Sequence, residues 1–112
     1  MKKLEIIVRR DKVDVLKSRL NEMGASGITL SNIAGFGKEE SYTQKYRGQE
    51  YTFYTVQKIR VECIVLDHRL DEFIDAIIET AQTGNQGDGK IYVYDVCDAV
   101  RIRTGERGES AL

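Results

Sequence analysis

Residues 56–66, VQKIRVECIVL, decide the fold of this 112-residue chain. The first half of this stretch alternates polar and apolar residues and the second half is continuously apolar, which predicts a long strand. Directly after it, apolar residues recur at intervals of three and four, which predicts an amphipathic helix with Asp67 as its N-cap. The apolar positions of this helix are Leu70, Phe73, Ile74, Ile77, Ile78 and Ala81. Residues 91–96 form the next predicted strand, so this half of the chain is a β-α-β unit.

The first half of the chain repeats this order. Residues 4–8 (LEIIV) form a short apolar run rich in β-branched residues, which predicts a central strand. A helix follows, with Asp11 as its N-cap and Gly24 as its stop. Its apolar positions are Val13, Leu16, Leu20 and Met23. Residues 28–34 (ITLSNIA) alternate as a strand. The two units predict one domain with an α+β, ferredoxin-like βαββαβ fold, an antiparallel sheet with both helices on one face.

Residues 38–55, KEESYTQKYRGQEYTFYT, lack any hydrophobic periodicity, and we expect a long loop between the second and third strands. A loop of this length inside a compact domain is uncommon unless it is functional or mobile. Its four tyrosines favour protein recognition, because tyrosine supplies a large contact area at low entropy cost. Stacking on single-stranded RNA is a weaker alternative, because the two strands expected at the centre of the sheet carry no aromatic residue. Residues 100–103 are predicted as one more short strand before a tail, residues 104–112.

The composition excludes several classes of protein. Net charge is −1, from 17 Lys and Arg against 18 Asp and Glu, which argues against a surface that grips nucleic acid as a whole. No apolar run approaches the roughly 18 residues of a membrane span. Cys63 and Cys97 lie far apart and His68 is the single histidine, so a zinc site is unsupported and two reduced cysteines in the cytoplasm are expected. No serine or cysteine has an evident general base, so catalysis is poorly supported.

The glycine-rich stretch at residues 83–90, TGNQGDGK, is the strongest candidate binding element. Glycines let a backbone approach a ligand closely, and successive N–H groups can form an anion-binding nest. The spacing from Gly84 to Gly89 and Lys90 almost satisfies a phosphate-binding P-loop, but Ile91 stands where that motif needs Ser or Thr. The stretch also follows a helix and opens a strand, the reverse of a P-loop. An alternative is that Gly84 caps the helix and residues 87–89 form a plain turn.

Other candidates carry charge. Arg101 and Arg103 lie two apart, so in a strand they point to the same side and suit a polyphosphate, although they also suit a solvated strand edge. Lys38 supplies a further cation after a Gly-Phe-Gly turn, or begins a solvated loop. Glu62 lies in an apolar strand and needs a partner, either a salt bridge or a ligand amine or hydroxyl. Cys63 is interpreted as a core thiol.

Four motifs give the chain a family resemblance. They are GFGK at 35–38, YRGQEY at 46–51, TGNQGDGKIYV at 83–93 and RIRTGERGESAL at 101–112. The chain resembles the PII signal-transduction proteins over essentially its whole length. The resemblance implies a cytoplasmic homotrimer that binds ATP and ADP in clefts between subunits. It also implies a regulator without catalytic turnover, whose loop at about 37–55 acts on an ammonium transporter or on nitrogen-metabolism enzymes and regulators. Such a protein reaches the membrane only through a partner.

The resemblance also assigns site residues. The residues that would shape the adenine and ribose end are Ile7, Gly27, Thr29, Glu62 and Ile64. The residues that would hold the phosphates are Gly35, Gly37, Lys38, Gly87, Asp88, Gly89, Lys90, Arg101 and Arg103. The implied nucleotide site therefore draws on both halves of the chain and on the tail.

One position departs from the family. Members that sense 2-oxoglutarate carry glutamine at the position of Glu39, where it helps to hold Mg²⁺ between ATP and the keto acid. Lys58, which pairs with the distal carboxylate, is retained. Because Glu39 adds negative charge beside two anions, we expect 2-oxoglutarate binding to be weakened or lost. We still expect ATP to bind, with Mg²⁺ that Glu39 could ligate.

Tyr51 matches a tyrosine that is uridylylated in some members of the family. The alternatives are a PII-like sensor with a target outside nitrogen metabolism, an RNA-binding module, and a small phosphate-processing enzyme of this fold.

Overall fold

In the computed structural model the backbone is described for residues 1–36, 42–46, 48–53 and 55–112, and side chains for residues 1–34 and 58–112. The strands are β1 (Lys2–Val8), β2 (Ser26–Phe36), β3 (Tyr42–Tyr46), β4 (Gln49–Phe53), β5 (Thr55–Val65) and β6 (Gly89–Asp95). The helices are α1 (Val13–Glu22) and α2 (Leu70–Ala81). Short 3-10 turns lie at Arg10–Lys12, Asp67–Arg69 and Gly108–Ala111.

A four-stranded antiparallel sheet has the order β2-β5-β1-β6. This order and the two crossing helices confirm the ferredoxin-like α+β fold. The strand predicted as central is central, because β1 lies between β5 and β6. Both predicted β-α-β units are present, with boundaries that shift by at most two residues.

One apolar core joins the helices to one face of the sheet. The buried residues that form it are Leu4, Ile6, Val8, Leu16, Leu20, Ile59, Val61, Cys63, Val65, Phe73, Ile77 and Ala81. Alternate residues of β1 and β5 therefore lie on the helix side, as the period of a strand requires. Cys63 is 1% exposed, and burial raises the pKa of its thiol to about 11, which confirms a core thiol.

The two predicted N-caps are wrong, whereas Gly24 ends the first helix as predicted, with a φ of +78° directly after the C-cap Met23. Asp11 and Asp67 each lie inside a 3-10 turn that precedes the helix, and the N-cap positions are Lys12 and Arg69, without side-chain cap bonds. The acidic residues therefore come one residue (Asp11) and two residues (Asp67) too early to cap an α-helix. The interpretation of Gly84 as a helix cap is also wrong, because α2 ends at Ala81 and the next residue is already extended.

The loop expected at about 37–55 contains two strands. β3 and β4 pair in an antiparallel sheet of their own, with Tyr42 opposite Phe53 and Tyr46 opposite Gln49. The residue types favour strands, since Tyr, Thr and Phe have high β propensity. Hydrophobic periodicity missed this hairpin because residues 38–55 are polar, charged and aromatic and carry no apolar repeat. Mobility of this segment stays a prediction.

The strand predicted at residues 100–103 is wrong. Val100 makes only an isolated bridge to Arg107, and residues 102–104 form a turn. The backbone N–H of Gly105 donates to the carbonyl of Arg101 at 2.7 Å, so the chain reverses direction there. Among the residues that the structure describes, no helix is long and apolar enough to cross a membrane.

Candidate functional site

The face of the four-stranded sheet opposite the helices carries most of the expected base-binding residues. We call it the open sheet face, and its members alternate with the buried core residues of the same strands. Ile7 in β1 is paired with Lys90 in β6, and Thr29 in β2 is paired with Glu62 in β5. Paired residues share a face, so four expected site residues, in two pairs, lie on the same surface. Ile64 follows on this face, opposite Ser26.

A small polar network occupies the centre of the open sheet face. Glu5 and Glu62 are directly paired across β1 and β5, and Arg60 joins them. The Arg60 guanidinium lies 3.6 Å from the Glu5 carboxylate and 3.3 Å from the Glu62 carboxylate. The hydroxyl of Tyr94 donates to Glu5 at 2.9 Å, and this bond raises the pKa of Tyr94. Within this chain, the partner that Glu62 needs is therefore Arg60.

Residues 83–90, which we call the glycine loop, are closed by the carboxylate of Asp88. It accepts hydrogen bonds from the backbone N–H of Thr83 at 2.8 Å and of Gly84 at 3.0 Å, and from the Thr83 hydroxyl. These bonds, led by the one from the hydroxyl, hold the pKa of Asp88 well below its ordinary value. Because the Asp88 side chain is committed to the loop itself, the groups of this loop that could bind an anion are backbone N–H groups.

Two cations hold carbonyl groups of the glycine loop. The buried Lys58 ammonium donates to the Gly87 carbonyl at 2.7 Å. Arg9 donates to the Gln86 carbonyl and, at 3.3 Å, to the Asp88 carboxylate. The sequence did not point to Arg9, which follows a strand with no motif around it.

Gly89 opens β6 against the backbone of β1. Its φ is +111°, and a Cβ placed there would lie 1.6 Å from the carbonyl oxygen of Ile7. Only glycine fits this contact, which brings the loop up to the sheet. The next residue, Lys90, is exposed and supplies a cation at the edge of the open sheet face.

The two tail arginines lie elsewhere. Arg101 bonds to the Leu112 carbonyl at 3.1 Å and to Glu106 at 3.4 Å, and Arg103 is exposed on the turn. The expectation that a strand aligns Arg101 and Arg103 is wrong, because the backbone turns between them. In the described residues of one chain, no hydrogen bond or ion pair joins either arginine to the glycine loop.

Of the remaining predicted positions, three lie in strands and three lie outside the described residues. Gly27 lies in the irregular part of β2 between Ser26 and Thr29, and Gly35 lies in the same strand. The backbone of Tyr51 lies in β4, opposite Gln44. Gly37, Lys38 and Glu39 lie outside the described residues.

A cleft of about 460 Å³ between α2 and β6 is an alternative candidate for the ligand-binding site. Its lining is mainly apolar and includes Ile74, Ile78 and Val93, with Asp88 and Lys90 at one end. A phosphate needs N–H groups and cations, which this lining lacks over most of its length. Four of the described polar candidates, Asp88, Lys90, Thr29 and Glu62, lie on the glycine loop or the open sheet face instead.

Comparison with known proteins identifies the family of the chain. Residues 1–106 match the family "Nitrogen regulatory protein P-II". The chain belongs to the P-II family. P-II proteins of Pasteurella multocida and Escherichia coli K12 are 46% and 43% identical to it, over the full length of both sequences in each case. The solved structure of GlnK from B. subtilis matches with a TM-score of 0.80 and 31% identity, and the match covers 99% of this chain and 97% of that one. The chain is therefore a member of a family of regulatory signal-transduction proteins, and its fold is that of a P-II protein.

Proposed function

We propose that this P-II protein senses adenylate nucleotides: three copies form a homotrimer, ATP and ADP compete for the clefts between subunits, and residues 37–55 act on a partner protein. It works as a regulator without catalytic turnover, in the cytoplasm. The observation that carries the proposal is the glycine loop, whose carbonyls are held by Lys58 and Arg9 and which opens beside the exposed Lys90.

The glycine loop fits a polyphosphate. Successive backbone N–H groups favour an anion, and Lys90 adds a full positive charge next to them. Gly87 and Gly89 leave no side chain between the backbone and a bound phosphate. Lys38 and the turn at Gly35 and Gly37 would complete the phosphate end.

The tail arginines support a cleft between subunits. Within one chain Arg101 and Arg103 stay away from the glycine loop, so a neighbouring subunit is the natural source of these two guanidiniums. The exposed Arg103 side chain is free of the Glu106 and Leu112 contacts that hold Arg101. A forked guanidinium then meets phosphate oxygens in pairs.

The base end fits adenine and ribose. Ile7 and Ile64 offer partly exposed apolar surface, and Glu62 offers a carboxylate that accepts from an amine or a hydroxyl. Thr29 is exposed directly opposite Glu62, and Gly27 lies in the same irregular part of β2. Apolar walls with a few polar groups are typical of a ligand site.

Calorimetry with ATP and ADP tests the nucleotide site. Lys90→Ala and Arg103→Ala should each weaken ATP binding by about tenfold or more, because each removes a charge-assisted hydrogen bond. Lys17→Ala, an exposed change on α1, serves as the matched control and should bind like wild type. Light scattering should show the same trimer mass for all four proteins. A wild-type protein that binds neither nucleotide would refute the proposal, and an unchanged affinity in both variants would reject this site.

Binding of 2-oxoglutarate should be weak or absent. Glu39 places a negative charge where Mg²⁺, ATP and a dianionic effector would meet, although Lys58 is kept. Calorimetry with Mg-ATP present should show little 2-oxoglutarate binding in wild type and a stronger response in Glu39→Gln. Tight binding by wild type would refute the expected effect of Glu39.

We place the partner in nitrogen metabolism, because the relatives are named nitrogen regulatory proteins. The candidates that the family resemblance implies are an ammonium transporter and enzymes or regulators of nitrogen metabolism. Because Glu39 departs from the sensors of 2-oxoglutarate, the second candidate is a target outside nitrogen metabolism. Capture of partners by ATP-loaded and ADP-loaded protein, followed by mass spectrometry, distinguishes the two. Uridylylation of Tyr51 would appear in the same experiment as a mass increase on the protein isolated from cells. Retention of RNA with a steep salt dependence would favour the RNA-binding alternative.

A further inference from the structure

We infer that Arg9 is a positioning residue: its guanidinium holds the glycine loop in the shape that presents backbone N–H groups to a phosphate. The inference rests on the proposed nucleotide function for its purpose, but the geometry of the free chain tests it separately. Arg9 lies directly after β1, far in sequence from the loop that it contacts.

The contact is made by two arms of one side chain. One terminal nitrogen of Arg9 donates to the Gln86 carbonyl, and Nε donates to Asp88 Oδ1 at 3.3 Å. The side chains of Arg9 and Asp88 are only 30% and 23% exposed. Arg9 therefore joins a backbone group of the loop to the carboxylate that closes it.

Holding a carbonyl also orients the next N–H group. In a planar trans peptide the C=O and N–H bonds point in opposite directions, so Arg9 on the Gln86 carbonyl turns the Gly87 N–H away from itself. Lys58 on the Gly87 carbonyl does the same for the Asp88 N–H. Two successive N–H groups are thus set before any anion binds, and such preorganisation lowers the entropic cost of binding.

The fork of Arg9 matters more than its charge. A guanidinium reaches two acceptors at once in a fixed plane, whereas a lysine ammonium is a single point on a flexible stem. If Arg9 acted only through its charge near a phosphate, Arg9→Lys would behave like wild type. If Arg9 acts by holding the loop, Arg9→Lys should lose most of the loop closure and of the ATP affinity that Arg9 provides.

The test compares Arg9→Lys and Arg9→Met with the same changes at Arg10, the exposed neighbour of Arg9. In the protein without nucleotide, hydrogen exchange at the Thr83 and Gly84 amides reports loop closure, because both donate to Asp88. We expect this exchange to speed up about tenfold in both Arg9 variants and in neither Arg10 variant. ATP affinity should fall by about tenfold in the same two variants, while adenosine, which lacks phosphates, should bind as it does to wild type.

Three results would overturn the inference. The first is an Arg9→Lys variant with the same hydrogen-exchange rates and the same ATP affinity as wild type, which would show that Arg9 acts through its charge alone. The second is equal loss of adenosine and ATP binding. The third is faster exchange throughout β1 and β5, which would show a general structural role. If wild type binds no ATP, the proposed function fails, yet loop exchange in the free protein still decides the role of Arg9.

Discussion

Gly89 sets the distance between the glycine loop and β1. Gly89→Ala should lower the free energy of unfolding by about 2 kcal/mol or more. The alanine would have to adopt a φ of +111°, and its Cβ would lie 1.6 Å from the carbonyl oxygen of Ile7. Gly105→Ala is the matched control: its φ is +72° and nothing lies within 4 Å of an added Cβ, so it should cost about 1 kcal/mol. Urea unfolding measures both, and equal losses would show that the contact with Ile7 is absent.

Asp88 makes loop closure depend on pH. Its folded pKa lies below the ordinary value of 3.8, so its contribution is complete above that value and is lost as pH falls through the folded pKa. Asp88→Asn should therefore melt at a lower temperature than wild type at neutral pH, and the two melting temperatures should converge at strongly acidic pH.

Thermal unfolding followed from pH 7 into the acid range measures this convergence. Asp75→Asn, an exposed change on α2, provides the control and should follow the wild-type curve. A gap between wild type and Asp88→Asn that stays constant down to the most acidic pH would contradict the role of the ionised carboxylate.

At the scale of elements, the protein combines a four-stranded sheet, packed on one face against the helices, with a separate hairpin. β1 contacts a strand on each side and contributes three residues to the core, whereas β3 and β4 pair only with each other as a sheet. A two-stranded hairpin is marginally stable in water by itself. We therefore expect the hairpin to gain stability when a partner binds.

Proline substitutions test whether the two sheets unfold independently. Thr43→Pro in β3 should abolish the hairpin, because proline removes a backbone donor and resists a paired strand, but should leave the melting temperature of the core almost unchanged. Glu5→Pro in the central strand β1 should prevent folding. Circular dichroism melts together with hydrogen exchange of β3 and β4 measure the difference. A large fall in the core melting temperature of Thr43→Pro would show that hairpin and core unfold as one unit.

At the scale of the whole molecule, the helices cover only one side of the main sheet. The open sheet face carries Tyr92 and Tyr94, each 46% exposed, together with partly exposed isoleucines. An uncovered face with this content suits association with further copies of the chain. The proposed homotrimer would bury it.

A single charge on this face tests the assembly. Tyr92→Arg should convert the trimer to monomers, because a buried unpaired guanidinium is costly, while the monomer stays folded. Val15→Arg on α1, which is 51% exposed on the helix side, should remain a trimer. Light scattering gives the masses. A trimeric Tyr92→Arg protein, or a monomeric wild type, would contradict the proposed use of this face.

The sequence by itself determined the order of the main strands and helices, the buried faces of β1, β5 and α2, and the glycine loop, since these follow from residue periodicity and local backbone chemistry. It missed strands β3 and β4, whose sequences carry no apolar repeat, and it placed a strand where residues 102–104 turn.

Only the tertiary structure decided which groups meet across the chain. It joined Arg9 to Gln86 and Lys58 to Gly87, paired Arg60 with Glu62, and kept Arg101 away from the glycine loop. These partners lie far apart in sequence, apart from Arg60 and Glu62. Local sequence patterns do not predict such contacts, because the contacts depend on how the strands align and on which turn brings distant parts of the chain together.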